Sequence, residues 1–126
     1  MGGTKKVLVV DDNRTLRKWL DKTLSTEGYT VLTAANGKEG FDVASRELPD
    51  LIVSDVDMPI MDGGEMVSKL KVCSSTNHIP VVFLTGLITK DEGVPESSSD
   101  VLYISKMSRP AELISAVRNM LIFFRK

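Results

Sequence analysis

The chain has 126 residues, 26% of them charged, and a formal net charge of -1, which leaves room for one core and provides no global field toward nucleic acid or an anionic surface. A single cysteine, Cys73, excludes an internal disulfide, and no Cys and His cluster for zinc is visible. The opening MGGTKK lacks the apolar stretch of a secretion signal, and no run approaches the roughly 18 apolar residues of a membrane span, so a cytoplasmic protein is expected.

The first apolar run, VLVV at residues 7–10, ends on Asp11 and Asp12. Runs of Val, Ile and Leu without strict alternation are what strands covered on both faces look like. Leu16, Leu20 and Leu24 then recur every four residues, predicting a helix with Asp12 and Asn13 as candidate caps and Gly28 as its stop. A second strand is expected at residues 30–34, followed by a helix whose buried stripe is Phe41, Ala44 and Leu48. The third strand, residues 51–54, leads into Asp55, and Met66, Val67 and Leu70 mark the next helix. Residues 81–84 form a fourth strand ending at Thr85, and residues 101–105 a fifth ending at Lys106. Leu113, Val117, Leu121 and Phe124 give the stripe of the last helix.

Strands alternating with helices imply right-handed crossovers and a parallel sheet covered on both faces, hence a doubly wound α/β domain over residues 4–126. One segment breaks the rhythm. Residues 88–100, ITKDEGVPESSSD, hold Gly93 and Pro95 and have only Val94 as an apolar interior residue. A helix there lacks a buried stripe, and proline in a helix interior costs about 3 kcal/mol, so at most a turn or two followed by irregular chain is expected.

The polar residues that end these strands fall on one edge of the sheet, the edge where open α/β folds keep their chemistry. Three carboxylates gathered there repel one another by about 4 kcal/mol per pair at about 4 Å and an effective dielectric near 20. Hard oxygen ligands without nitrogen or sulfur suit Mg2+, and Lys106 adds a second positive charge. A carboxylate beside a metal and a lysine is a nucleophile toward phosphorus, with Thr85 as a donor to a phosphoryl oxygen. Each residue alone also has an ordinary reading: Asp11 and Asp12 as helix caps, Asp55 as a turn residue near Pro59 and Gly63, Thr85 as a plain strand end, Lys106 as a solvated surface charge.

In VLVVDDN at residues 7–13, AANGKEG at 34–40, PDLIVSDVDMPIMDGGE at 49–65, IPVVFLTG at 79–86 and YISK at 103–106, the chain resembles a receiver domain of two-component response regulators. The resemblance covers essentially the whole length. It implies a flavodoxin-like five-stranded parallel sheet of order 2-1-3-4-5, with an irregular or shortened fourth helix at residues 88–100 in this chain. It also implies that Asp55 is the phosphorylated aspartate, Asp12 a direct Mg2+ ligand, Asp11 a ligand through water and the Asp57 backbone carbonyl the remaining protein ligand. Thr85 and Lys106 would contact the phosphoryl group, and the Tyr103 rotamer would follow Thr85. The implied partners are a histidine kinase or phosphotransfer protein upstream and an unidentified protein downstream, with no direct contact to nucleic acid or membrane. The only catalysis expected is of the chain's own phosphorylation and dephosphorylation.

The chain departs from the family at Met107, where proline usually follows the lysine; a trans bond and a rearranged turn are expected there. Residues 88–100 replace the family's fourth helix and are expected to order on phosphorylation or partner binding, or else to be a shortened loop. Trp19, beside the first helical stripe, is a candidate kinase contact or a residue packing at its margin. His78 is expected in a loop, and Cys73 as a small, partly buried side chain. Ile122 and Phe123 lie off the last stripe and are candidates for a contact with a second copy, a partner site or a truncated junction. Two other functions fit parts of the pattern. Asp55, Val56 and Asp57 form a DxD after a strand, as in haloacid-dehalogenase-type phosphohydrolases, although there the DxD typically follows the first strand. A receiver-like interaction module working without phosphate is the other alternative.

Overall fold

The computed structural model describes residues 4–86 and 100–123. In chain order it contains β1 (Lys6–Val10), α1 (Arg14–Thr26), β2 (Thr30–Ala34), α2 (Gly37–Glu47), β3 (Leu51–Asp55), α3 (Gly63–Lys71), β4 (Val81–Thr85), β5 (Val101–Ser105) and α4 (Pro110–Phe123). All strand pairs are parallel and the sheet order is β2-β1-β3-β4-β5. The flavodoxin-like fold and its strand order are therefore as the resemblance implied. Among the described residues no helix is long and apolar enough to cross a membrane.

The strand sequences explain the two layers. Alternate residues of a strand face opposite sides of a sheet, and in β1 both sets are apolar. Val7 and Val9 join Leu20 and Leu24 of α1, Val53, Val82, and Leu113 and Val117 of α4 in one core. Leu8 and Val10 join Ala44 of α2, Ile52, Phe83, and Met66 and Leu70 of α3 in the other. Each fully buried side chain of this kind contributes about 1.5–3 kcal/mol, so both faces are fixed and the register with them.

Three of the strands extend one residue beyond the apolar runs. Lys6 enters β1, its N–H donating to Asp50 Oδ2 at 2.8 Å and its ammonium to the Glu47 carbonyl at 2.9 Å. Asp55 and Thr85 are the last ladder residues of β3 and β4, opposite Leu84 and Ser105 respectively. Two residues of the site are thus held by sheet hydrogen bonding rather than by loops.

Helix α1 starts where Asn13 accepts the Leu16 amide at 3.0 Å, so of the two candidate caps Asn13 is the one used. Gly28, at φ +96, follows its end. Asn36 and Asp62 cap α2 and α3 in the same way, accepting from Glu39 and Glu65. In α2 the expected stripe needs a correction. Leu48 is not core: it ends the helix in the left-handed region at φ 48 and is 48% exposed, while Val43 is buried in its place. The left-handed turn there directs the chain into β3, and this requirement overrides side-chain burial. In α4, Leu113, Val117 and Leu121 are buried as expected, together with Met120. Phe124, the side chain of Phe123 and nearly all of the 88–100 segment lie outside the described residues.

Candidate functional site

Asp11 leaves β1 with its N–H donating to the Ala34 carbonyl at 3.1 Å, and its own carbonyl accepts from Arg17 Nη1 at 2.6 Å. Its Oδ1 accepts the Asn13 amide at 2.8 Å. The other oxygen, Oδ2, is buried with no hydrogen-bond partner among the described residues. Asp12 is exposed and Asp55 buried; one oxygen from each of the three carboxylates lies within 4.8 Å of the others. Burial, first of all, raises the Asp11 carboxyl above its ordinary range; the Asn13 amide opposes this, the charge of Asp55 adds to it, Lys106 relieves it and Asp12 adds again. An orphaned buried oxygen among three close carboxylates, with no nitrogen or sulfur donor in the cluster, fits a small hard cation such as Mg2+.

Lys106 reaches the cluster. Its Nζ lies 3.1 Å from Asp55 Oδ1. The peptide bond before Met107 is trans, as expected. The turn is held by the Lys106 amide donating to the Thr85 carbonyl at 2.9 Å and by the amides of Met107 and Ser108 donating to Ser105, at Oγ and the carbonyl respectively, both at 3.0 Å. With methionine in place of proline, the lysine is still in reach of the Asp55 carboxylate. Thr85 is buried at the end of β4, one residue beyond the Leu84 that pairs with Asp55. Tyr103, half-buried in β5, stacks on Phe83 with ring centroids 5.2 Å apart.

The loop from β3 to α3 completes the edge. Asp57 is exposed in it. Met61 N–H donates to the Pro59 carbonyl at 2.7 Å, which closes a three-residue turn around Ile60 at φ 71. Gly63 donates to the Val56 carbonyl at 2.8 Å, and a Cβ there would stand 2.4 Å from the Asp55 carbonyl oxygen. Gly37, which opens α2, donates to Met61 O at 2.8 Å, and a Cβ there would stand 2.4 Å from that same oxygen. Gly37, Gly63 and Arg17 are the site-shaping residues that sequence reasoning missed. The two glycines open helices directly after capping residues, a placement that could have marked them as close-approach positions; nothing in the sequence pairs Arg17 with a backbone carbonyl.

The remaining expectations resolve simply. His78 is exposed in a turn and Cys73 is half-buried just past α3. Trp19 is 41% exposed and lines a shallow groove with Leu16, Leu84, Ile104, Lys106 and Leu113, beside the acid cluster. Ile122 is exposed on α4.

A family model described as Response regulator receiver domain matches residues 7–118. Among relatives, Histidine kinase P4 of Formosa agariphila is 44% identical over 118 residues, covering 91% of this chain and 8% of the relative. Response regulator PleD of Caulobacter vibrioides is 37% identical over 121 residues, 94% of this chain and 26% of the relative. The chain thus spans only a minor part of either. Of solved structures, the chemotaxis protein CheY4 of Vibrio cholerae superposes with a TM-score of 0.81 at 30% identity, covering 94% of this chain and 99% of that one. The signal receiver domain of a signal transduction histidine kinase from Syntrophus aciditrophicus gives 0.83 at 31% identity, with coverages of 98% and 94%. With the sheet order, the acid cluster and these matches together, the chain belongs to the response regulator receiver domain family of two-component signalling.

Proposed function

We propose that the chain is a phosphorylation-controlled switch in which Asp55 accepts a phosphoryl group from the phosphohistidine of a histidine kinase or phosphotransfer protein. The observation that carries this reading is the 3.1 Å contact of Lys106 Nζ with Asp55 Oδ1 at the rim of the three-carboxylate cluster. A buried carboxylate held against a fixed cation keeps one orientation, and that aim is what a nucleophile toward phosphorus needs. In transfer, an Asp55 oxygen bonds to phosphorus while the phosphorus–nitrogen bond breaks and its electron pair returns to the donor imidazole. A Mg2+ ion held there would supply neutralisation of charge on the phosphoryl oxygens. Asp12 would hold it directly, Asp11 through water, and Asp57 through its backbone carbonyl. Lys106 exchanges its carboxylate partner for a phosphoryl oxygen, Thr85 donates to another, and the Tyr103 ring follows Thr85. The changed surface is read by a downstream protein in the cytoplasm, without direct contact to nucleic acid or membrane and without turnover of any further substrate.

Intact mass after incubation with Mg2+ and a small acyl phosphate tests this. A phosphate-sized gain in the parent that is absent in Asp55→Asn is the expected result. No gain with the acyl phosphate or with candidate kinases would sink the reading in favour of an interaction module that works without phosphate.

A further inference from the structure

We infer that Arg17 is a positioning residue for the metal-binding acids, an inference that rests on the Mg2+ reading above. The Asp11 main chain is held from two sides. On the β2 side its N–H donates to Ala34 O at 3.1 Å; on the α1 side its carbonyl accepts from Arg17 Nη1 at 2.6 Å. Between these holds the carboxylate is turned so that Oδ1 takes the Asn13 amide at 2.8 Å and Oδ2 remains buried without a hydrogen-bond partner among the described residues. Releasing the carbonyl loosens the peptide that joins Asp11 to Asp12, and with it the placement of their two carboxylates relative to one another. Mg2+ demands near-ideal octahedral geometry at about 2.0–2.1 Å, so small displacements of a ligand shell weaken binding.

The arginine is not occupied as an ordinary surface residue of a helix. Asp21, the acid one turn further along α1, accepts instead from Ser25 Oγ at 3.0 Å. Arg17 also lines an open groove with Arg14, Lys18, Asp21 and Thr33, so its side chain spans from the solvent side of α1 to the loop carrying the acids. A guanidinium suits this span because its planar fork fixes the direction of the bond it donates.

The sign of the effect separates positioning from charge. A cation near a cation site opposes metal binding, so if Arg17 acted only through its field, removing it would tighten Mg2+. Positioning predicts the reverse. Arg17→Met keeps the stem and removes the fork, while Arg17→Lys keeps one donor. Calorimetric titration with Mg2+ should show Kd raised roughly tenfold in Arg17→Met and partly restored in Arg17→Lys, the scale typical of groups that orient metal ligands. In the metal-free protein the Asn13 amide should exchange several-fold faster in Arg17→Met, with a urea midpoint near the parent's. Equal or tighter Mg2+ binding by Arg17→Met overturns the inference and leaves the metal site standing. Weaker binding with a lowered metal-free midpoint and no rescue by lysine means general loosening, and also overturns it. A parent that binds no Mg2+ overturns both readings.

Discussion

Asp11 is a carboxyl that folding makes harder to ionise, because burial and the neighbouring charges of Asp55 and Asp12 outweigh the Asn13 amide and Lys106. A raised carboxyl binds its proton more tightly in the folded state, so its stabilising contribution is present below the ordinary value of 3.8 and is lost as pH rises through the folded-state value. Metal-free protein should therefore lose stability as pH rises from about that value upward, measured as the urea midpoint at successive pH, and Mg2+ should flatten the profile. Asp55→Asn removes two repulsions within the cluster and one attraction to Lys106, so without metal it should be more stable than the parent by on the order of 1–2 kcal/mol, with a smaller gain from Mg2+. A metal-free variant no more stable than the parent would show that the ion pair outweighs both repulsions. Ile60 presents strain of another kind: a β-branched residue at φ 71, 76% exposed, in a turn whose positive-φ form is unfavourable. Ile60→Gly should relieve about 1–3 kcal/mol of strain against about 0.5–1 kcal/mol of chain entropy, a net gain near 1 kcal/mol by chemical denaturation.

At the scale of elements, α3 is seated by the absence of a side chain. Because a Cβ at residue 63 would stand 2.4 Å from Asp55 O and 2.7 Å from Phe83 Cε1, Gly63→Ala must push the helix start away from Asp55. A cost of about 1–3 kcal/mol and slower acyl-phosphate labelling of Asp55 are expected, and unchanged labelling would mean that the helix start shifts without moving the Asp55 carboxylate. The central strands β1, β3 and β4 were legible in the sequence because burial on both faces writes itself as unbroken apolar runs. The helices were legible where a stripe repeats, as at Leu16, Leu20 and Leu24. Leu48 was misread because its position is dictated by the backbone turn into β3, a requirement that leaves no periodic trace. Asp11, Asp12, Asp55 and Lys106 were legible as a group because each stands at a strand end, whereas the Arg17 bond depends on the crossing of α1 over its own loop.

For the molecule as a whole, the sheet separates two cores that share no helix among the described residues: α1 and α4 pack against one face, α2 and α3 against the other. Truncations on opposite faces remove separate contacts, so Leu20→Ala and Met66→Ala, each costing about 2–5 kcal/mol, should add to within about 0.5 kcal/mol in the double variant. A larger coupling measured in urea would mean that the sheet relaxes as one body. The strands meet the acid cluster from several separate stretches of chain, so the site exists only when both cores are formed.

The groove that holds Trp19 has an optical consequence. This is the chain's only tryptophan, and it shares the groove's wall with Lys106, the cation that touches Asp55. An indole's emission shifts with the field of a nearby charge, and that field changes when the ammonium group moves. The protein therefore carries an intrinsic fluorophore beside the group expected to rearrange on phosphorylation, and Trp19 emission should change on acyl-phosphate treatment in the parent and stay constant in Asp55→Asn.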